Sequence, residues 1–363
     1  MTEHPYRSQP PRAFWSRSVA ENFSPADVAG AAGEPYLRED DRVISAGSCF
    51  ASNMIPWLED AGLTYVRTEG VAHPALDHLP ENLGYRTFSA AYGNIYTARH
   101  FRQLLERAYG LYTPAEDRWY DGDHVVDPFR PGLRYPARSD AEFDLLTRQH
   151  LAAVRAAVAS ASLLVFTLGL TEAWESTVDG AVYPTCPGTA GGVFDPEKHR
   201  FVNYSVGDIR DDMVSAIRLI RRHNPQLRVI LSVSPVPLVA TATDDHVLVA
   251  TTYSKSVLRV AASEIVAAEP NVRYFPAYEI ITGPQAPDDF YQRDRREVTD
   301  AAVTVAMHAL FDNSALNPEV ARPTDSPPMA VRTPAASSAA TLAANELSRR
   351  VSEAECDELL ADA

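Results

Sequence analysis

The feature that most constrains the fold is a regular alternation of short apolar segments with amphipathic helical segments between residues 42 and 312. The apolar segments predict strands at 42–47, 63–67, 163–166, 228–233 and 272–275. The amphipathic segments predict helices at 50–60, 97–109, 139–160, 208–223, 253–267 and 298–312. Because strands joined through helices run parallel and are covered on both faces, the pattern predicts an α/β fold. The expected architecture is a three-layer α/β/α sandwich with a parallel sheet of about five strands.

Two irregular segments rich in Gly and Pro, 110–138 and 175–206, interrupt this pattern and are predicted to be loop insertions. By composition the chain divides into four parts. They are an N-terminal arm at 1–40, the α/β domain at 41–312, a Pro/Ala/Ser-rich linker at 313–338 and a helix at 339–363. The C-terminal helix could dock on the domain or on a second subunit, so oligomerisation through it stays open.

Charge and cysteine content exclude several classes of partner. The net charge of −15 argues against nucleic acid or an anionic membrane surface, because both call for clustered Lys and Arg. The cysteines, Cys49, Cys186 and Cys356, are far apart, which favours neither a disulfide scaffold nor a zinc site. There is no signal-peptide-like N-terminus and no run of 18 apolar residues. We therefore expect a soluble cytoplasmic protein without a metal or cofactor.

The stretch from Arg42 to Asn53 looks like a buried strand that ends at a glycine and opens a helix. Gly47 permits a tight main-chain turn. Ser48 would then stand at the helix N-terminus, where main-chain N–H groups and the helix dipole favour a developing negative charge. Two interpretations follow from these residues. Ser48 is either an exposed nucleophile beside an oxyanion site or an ordinary helix N-cap.

Residues 47–51, Gly-Ser-Cys-Phe-Ala, resemble the signature of the GSCFA family, which looks like a divergent branch of the SGNH/GDSL hydrolases. Other stretches resemble the same family in the same order: Tyr92–Thr97, Phe166–Trp174, Ser232–Pro237, Tyr253–Lys255 and Tyr274–Glu279. The resemblance implies an SGNH- or flavodoxin-like domain that acts on acyl esters. The stretches also fall at predicted strand ends, and in open α/β sheets sites form beyond the carboxyl ends of the strands.

The resemblance implies roles for particular residues. Ser48 matches the nucleophile, and Gly93 matches the glycine whose N–H faces the oxyanion. Asn94 could supply a second donor, although Gly93-Asn94 is also a common turn pair. Thr171 stands where relatives place an oxyanion asparagine. Residues expected to contact the substrate are Glu172, Lys255 and Tyr278.

The largest departure from the family pattern concerns the general base. Relatives place Asp-x-x-His near the C-terminal end of the domain, and this chain has Asp294-Arg295-Arg296-Glu297 there. Asp294 and Glu297 would occupy the base-side position, with Glu297 acting as a carboxylate of raised pKa. Alternatively, His199 or His246 from another loop substitutes for the missing histidine, or the site no longer hydrolyses.

Other reactive or charged groups fall near the same predicted edge. Cys49 could be a nucleophile at a helix start, but we expect it to be a buried structural cysteine, because the residue after a nucleophile usually points into the fold. Lys255, Arg295 and Arg296 could hold an anionic substrate group or acyl donor. Solvated surface charge is the competing interpretation for these three residues.

These observations and the resemblance predict a serine-dependent acyl-ester hydrolase of SGNH type. Its substrate would be a small-molecule or glycan O-acyl ester. One alternative is an acyltransferase that uses the same Ser48 and passes the acyl group from a donor to a hydroxyl or amine, which requires exclusion of water. A second alternative is a non-catalytic pseudoenzyme that binds a ligand or partner, which the missing histidine favours.

Overall fold

A computed structural model describes residues 4–30, 33–70, 83–85, 87–130, 132–133, 135–189 and 191–317. The predicted C-terminal helix at 339–363 and nearly all of the linker lie outside these residues, so the division of the chain there stays a prediction. The helices are α1 (Pro25–Ala29), α2 (Cys49–Asn53), α3 (Ile55–Asp60), α4 (Ala98–Ala108), α5 (Asp140–Ser160), α6 (Val206–His223), α7 (Val247–Ala268), α8 (Ala277–Thr282) and α9 (Asp300–Asp312). The strands are β1 (Arg42–Gly47), β2 (Thr64–Tyr65), β3 (Trp119–Asp121), β4 (His124–Val126), β5 (Leu163–Leu168), β6 (Glu172–Ser176), β7 (Val182–Tyr183), β8 (His199–Asn203), β9 (Arg228–Val233) and β10 (Val272–Tyr274).

The central sheet confirms the predicted fold class. Five strands lie in the order β10-β9-β5-β1-β2, and all neighbouring pairs are parallel. One group of helices, α4 to α7, packs together, and a second group contains α1, α3, α8 and α9. The sheet between them gives the three layers expected of an α/β/α sandwich.

The core is centred on β5. All of its residues from Leu163 to Leu168 are buried, as expected of a central strand in a sheet that is covered on both faces. The Phe166 ring packs against the Phe101 ring of α4 with their centroids 4.7 Å apart. This contact ties β5 to the helical layer that also carries α5 and α6.

Both predicted insertions contain strands that their composition does not indicate. The segment 110–138 forms the antiparallel hairpin β3–β4. The segment 175–206 contributes to an antiparallel sheet of order β7-β6-β8. These strands are short and interrupted by Gly and Pro, so their period-two pattern is too brief to be recognised in the sequence.

The helix predicted at 50–60 is divided into α2 and α3 at Met54. Pro56 explains the break, because it lacks an N–H to continue the hydrogen bonds of α2 and occupies the first turn of α3 instead. Helix α7 begins at Val247, six residues before the predicted start, and His246 is its N-cap. Among the described residues, no helix is long and apolar enough to cross a membrane.

Gly47 ends β1 in a conformation that few other residues adopt, with φ of +143°. A Cβ atom at this position would lie 2.5 Å from the carbonyl oxygen of Thr167 on the neighbouring strand. The main chain of β1 therefore approaches β5 more closely than any residue with a side chain would permit.

We expect Gly47→Ala to lower the free energy of unfolding by about 3 kcal/mol or more, because it combines positive-φ strain with a steric clash. Gly122→Ala is the matched control: Gly122 also has positive φ, +56°, but a Cβ there would meet no atom within 4 Å. The control should lose only about 1–2 kcal/mol. Urea denaturation of both variants measures the difference, and equal losses would contradict the importance of the Gly47–Thr167 contact.

Candidate active site

Ser48 is the N-cap residue of α2, but its hydroxyl does not cap the helix. The other serine and threonine N-caps among the described helices each accept a hydrogen bond from a main-chain N–H: Ser24, Thr97, Ser139, Ser205 and Thr299. The Ser48 Oγ is buried and has no hydrogen-bond partner, and the residue is only 3% exposed. A buried hydroxyl without a partner is costly, so this serine is not explained by a capping role.

The Ser48 side chain lines a cavity of about 280 Å³. Most of the wall is apolar and includes Trp174 and Phe201 from the small antiparallel sheet and Leu238 from the loop after β9. Trp174 and Phe201 are paired residues of β6 and β8, and their rings are in an edge-to-face contact with their centroids 5.8 Å apart. An apolar cavity with a few polar groups is typical of a site for a small molecule.

The cavity lies at the carboxyl edge of the central sheet. Ser48 follows β1, Gly169 follows β5 and Ser234 follows β9, and all three residues line the cavity. Parallel strands place their carboxyl ends at one edge, so the three segments converge there. The predicted location of the site therefore agrees with the position of the cavity.

Two main-chain segments cross directly beside Ser48. The Ile95 N–H donates to the Gly47 carbonyl (2.8 Å), and the Leu170 N–H donates to the Tyr96 carbonyl (2.9 Å). A Cβ atom on Gly169 would lie 3.0 Å from the Tyr96 carbonyl oxygen and 3.3 Å from the Ser48 Cβ. Gly169 thus lets the chain after β5 pass against the Ser48 side chain.

Lys255 lies beneath this crossing. Its side chain is buried, and its Nζ donates to the Gly169 carbonyl (2.8 Å). Desolvation lowers the pKa of Lys255 to about 7, the nearby Cys49 acts to raise it, and the nearby Arg296 acts to lower it. No ion pair joins it to a carboxylate in the part of the chain that the structure describes. Lys255 is therefore an amine with an unusually large neutral fraction near neutral pH.

The cavity also contains one carboxylate, Glu172. One of its oxygens accepts from the Thr241 hydroxyl (2.7 Å), and the other accepts from the Ala242 N–H (3.4 Å). Desolvation raises the pKa of Glu172, and these two hydrogen bonds act in the opposite direction. Glu172 is therefore attached to the loop that follows β9.

The expected oxyanion donors lie near the cavity without lining it. The Asn94 amide donates to the Tyr96 hydroxyl (3.2 Å), and Tyr96 does line the cavity. Gly93, one residue earlier, has φ of +66° and forms the turn into this segment. Thr171 is fully buried, with its N–H donating to the Ser254 hydroxyl (3.2 Å) and its own hydroxyl left without a partner.

The structure does not bring Asp294 and Glu297 to the cavity, because both are exposed. An Asp294 carboxylate oxygen accepts from the main-chain N–H groups of Arg296 (3.0 Å) and Glu297 (3.1 Å), so this side chain shapes a turn. Within that turn Arg295 has φ of +60°, and the residue that lines the cavity is Arg296. Because Asp294 bonds the main chain of its own turn and Glu297 is exposed, neither carboxylate lines the cavity.

None of the described histidines lines the cavity. His199 is buried beside Tyr183, with its Nδ1 accepting from the Asp195 N–H (3.1 Å). His246 is exposed and caps α7, with its Nδ1 accepting from the Leu248 N–H (3.1 Å). Tyr278 is packed against the main core and does not line the cavity either.

Sequence reasoning placed Cys49 inside the fold, and this expectation was wrong. Cys49 is half-buried and lines the cavity next to Ser48. The helix that starts at Cys49 is only one turn long, so its first side chain stays at the edge of the sheet.

Two parts of the cavity wall, Phe201 and residues 236–242, were not predicted from the sequence. The only signal for the second wall is an apolar stretch after β9 that lacks a helical or strand period.

The sequence model of the GSCFA family matches residues 42–310. The chain belongs to the GSCFA family. This confirms the resemblance indicated by residues 47–51. The matched range includes every residue that lines the cavity beside Ser48. Within the described residues, no group of three or more His, Cys, Asp or Glu side chains is arranged to hold a metal ion.

Among solved structures, the acetyl xylan esterase Est2A from the rumen bacterium Butyrivibrio proteoclasticus is similar at 12% sequence identity, with a TM-score of 0.24. The similarity covers 65% of this GSCFA chain and 55% of that chain, so this chain spans just over half the length of that esterase. No curated protein matches the sequence.

The burial of Lys255 predicts how stability depends on pH. Folding lowers its pKa from the ordinary 10.5 to about 7, so between these values the unfolded chain binds more protons and stability rises with pH. We expect Lys255→Met to raise the free energy of unfolding by about 1–4 kcal/mol at pH 7. The gain should shrink as the pH approaches 10.5.

Chemical denaturation at pH 7, 8.5 and 10 measures this effect. The control is Lys198→Met, which replaces the only other lysine of the chain, one that is exposed beside Asp195. The control should change stability by less than about 0.5 kcal/mol at any of these pH values. A loss of stability in Lys255→Met at pH 7 would show that the ammonium ion is favourably solvated in the fold.

Proposed function

We propose that this protein is a serine-dependent hydrolase of SGNH type that cleaves a small acyl ester at Ser48. The observation that carries the proposal is the hydroxyl of this residue. It stands at a helix N-cap without capping, it has no partner, and it lines an apolar cavity at the carboxyl edge of the sheet. Such a hydroxyl is available to attack a carbonyl carbon bound in the cavity.

In the proposed reaction, the Ser48 Oγ forms a bond to the carbonyl carbon while its proton passes to a base. The ester C–O bond then breaks, the leaving oxygen takes that proton, and water hydrolyses the acyl-enzyme by the same sequence. We assign the base to Lys255. Its amine donates a hydrogen bond to the carbonyl of Gly169, the residue that packs against the Ser48 side chain, and it would take the Ser48 proton through one intervening water molecule.

The other titratable group considered as base is Glu172. Its raised pKa suits a proton acceptor, but its oxygens are engaged by Thr241 and Ala242 on the far loop. Asn94 would act on the bound carbonyl through Tyr96, which lines the cavity and whose hydroxyl accepts a hydrogen bond from the Asn94 amide.

A second candidate function is binding without turnover. The observation that favours it is the absence of any described histidine from the cavity wall, since the usual serine-hydrolase base is an imidazole. In that case the cavity would hold a small ligand, and Ser48 would contact the ligand without reacting with it.

Covalent labelling with a fluorophosphonate probe distinguishes these functions. We expect the wild type to be labelled and Ser48→Ala to be unlabelled, because the probe reacts only with an activated hydroxyl. Ser232→Ala is the matched control: its hydroxyl is also buried and without a partner, but it does not line the cavity. Cys49→Ala should also keep its labelling. An unlabelled wild type would support the binding function, and labelling that is kept in Ser48→Ala would exclude Ser48 as the nucleophile.

The proposed base predicts the pH profile of the labelling rate. Lys255 accepts a proton only as the neutral amine, so the rate should rise about tenfold per pH unit below its pKa of about 7 and level off above it. Lys255→Met should reduce the rate by about 10²- to 10⁴-fold. Glu172→Gln should retain the profile, whereas a profile lost in Glu172→Gln and kept in Lys255→Met would assign the base to the carboxylate.

A further inference from the structure

Arg296 differs from the other described arginines in its partners. It lines the cavity and is half-buried, and its Nε is buried without a hydrogen-bond partner, as are the Nε atoms of Arg102 and Arg273. Every other buried or half-buried arginine that the structure describes has a carboxylate, a main-chain carbonyl or an aromatic ring as its partner. Arg130 with Asp127 and Arg259 with Glu279 are typical examples.

The missing partner is not explained by a shortage of acidic residues. The chain contains 48 Asp and Glu residues against 33 Lys and Arg residues. Asp294, two residues away, is turned toward the main-chain N–H groups of the same loop. The carboxylate of Glu172 is engaged by the loop after β9, and Arg296 is not among the groups that act on its pKa. The guanidinium is therefore left facing the cavity without a counter-charge from the described residues.

A second basic group lies close to this guanidinium. Lys255 is near enough to Arg296 for their charges to interact unfavourably. Arg296 keeps its charge at neutral pH, and a charged guanidinium on the wall of a small, mostly apolar cavity leaves a positive potential there, which an anion would compensate. The guanidinium fork matches the two oxygens of a carboxylate, and a partly desolvated site strengthens such a pair.

We propose that Arg296 binds a carboxylate carried by the substrate, so that the ester cleaved at Ser48 is anionic. This inference rests on the proposed hydrolase function and adds to it the chemical class of the substrate. The cavity, at about 280 Å³, is just below the usual range for small-ligand pockets, about 300–1,000 Å³. The carboxylate must therefore be only a few atoms from the carbonyl that Ser48 attacks, in either the acyl part or the leaving part.

Matched chromogenic esters test both positions of the charge. 4-Nitrophenyl hemisuccinate carries the carboxylate in the acyl part, and 4-nitrophenyl butyrate is its neutral match. 4-Acetoxybenzoate carries it in the leaving part, and the methyl ester of this compound is its neutral match. We expect the full-length wild type to favour one of the anionic esters by about 10- to 100-fold in kcat/KM, the usual contribution of a hydrogen-bonded charge.

In Arg296→Gln this preference should disappear, so that each anionic ester and its neutral match are cleaved with similar kcat/KM. Arg296→Lys should restore part of it, since a lysine supplies the charge without the fork. Arg293→Gln is the control, because Arg293 is an exposed residue of the same loop and does not line the cavity. An equal effect of Arg296→Gln on charged and neutral esters, or no preference in the wild type, would overturn the proposal.

A binding measurement separates this proposal from the hydrolase proposal. If the wild type cleaves none of the four esters, the hydrolase function fails, and calorimetric titration with succinate tests the anion site alone. Succinate binding that is present in the wild type, Ser48→Ala and Arg293→Gln but lost in Arg296→Gln would support the site. Absence of binding, or equal binding by Arg296→Gln, would overturn it.

Discussion

The close approach of β1 to β5 at Gly47 is the contact on which the site depends. Because Gly47 has no side chain, its main chain lies against Thr167, and the chain can leave the sheet at once. The carbonyl of Gly47 then accepts the Ile95 N–H, which fixes the segment carrying Tyr96. Gly169 permits the second close approach, between the end of β5 and Ser48. Two glycines, one at the end of β1 and one directly after β5, thus set the position of the serine.

The charges beside the cavity contrast with those of the whole molecule. The chain carries a net charge of −15, yet a buried lysine, Lys255, lies close to a cavity-lining arginine, Arg296, that has no carboxylate partner among the described residues. Elsewhere arginines are neutralised by carboxylates, as in the network of Arg99 and Arg102 with Asp212. Burial lowers the pKa of this lysine to about 7, so a substantial fraction of it is neutral near pH 7 and the fold tolerates it without a counter-ion. The arginine cannot lose its proton in the same way, and its charge persists.

Much of the scaffold was predictable from the sequence. The apolar runs at 42–47, 163–166 and 228–233 correspond to β1, β5 and β9, and their parallel pairing follows from the helices between them. The same strand pattern predicted the carboxyl edge of the sheet as the place of the candidate site, and the cavity beside Ser48 lies at that edge. The start of α5 also follows from the sequence, because serine is a common N-cap residue, and the Ser139 hydroxyl accepts a hydrogen bond from the Glu142 N–H.

The details of the site were less predictable for physical reasons. Periodicity identifies buried faces of regular elements, but it does not determine which side chain of an irregular turn faces a cavity. In the turn at 294–297, Arg296 lines the cavity and Glu297 does not. This orientation depends on the Asp294 hydrogen bonds and on the left-handed conformation of Arg295. The small β7-β6-β8 sheet depends likewise on long-range pairing, which local composition does not reveal.

The small antiparallel sheet is attached to the central sheet directly after β5, and it carries Trp174 and Phe201 over the cavity. Ser48 and Lys255 belong to other segments, β1–α2 and α7. The reactive groups and the aromatic cover can therefore be varied separately. Libraries randomised at the two aromatic positions would reshape what the protein accepts while the parallel core and its chemistry stay intact, which makes this cover a natural starting point for engineering.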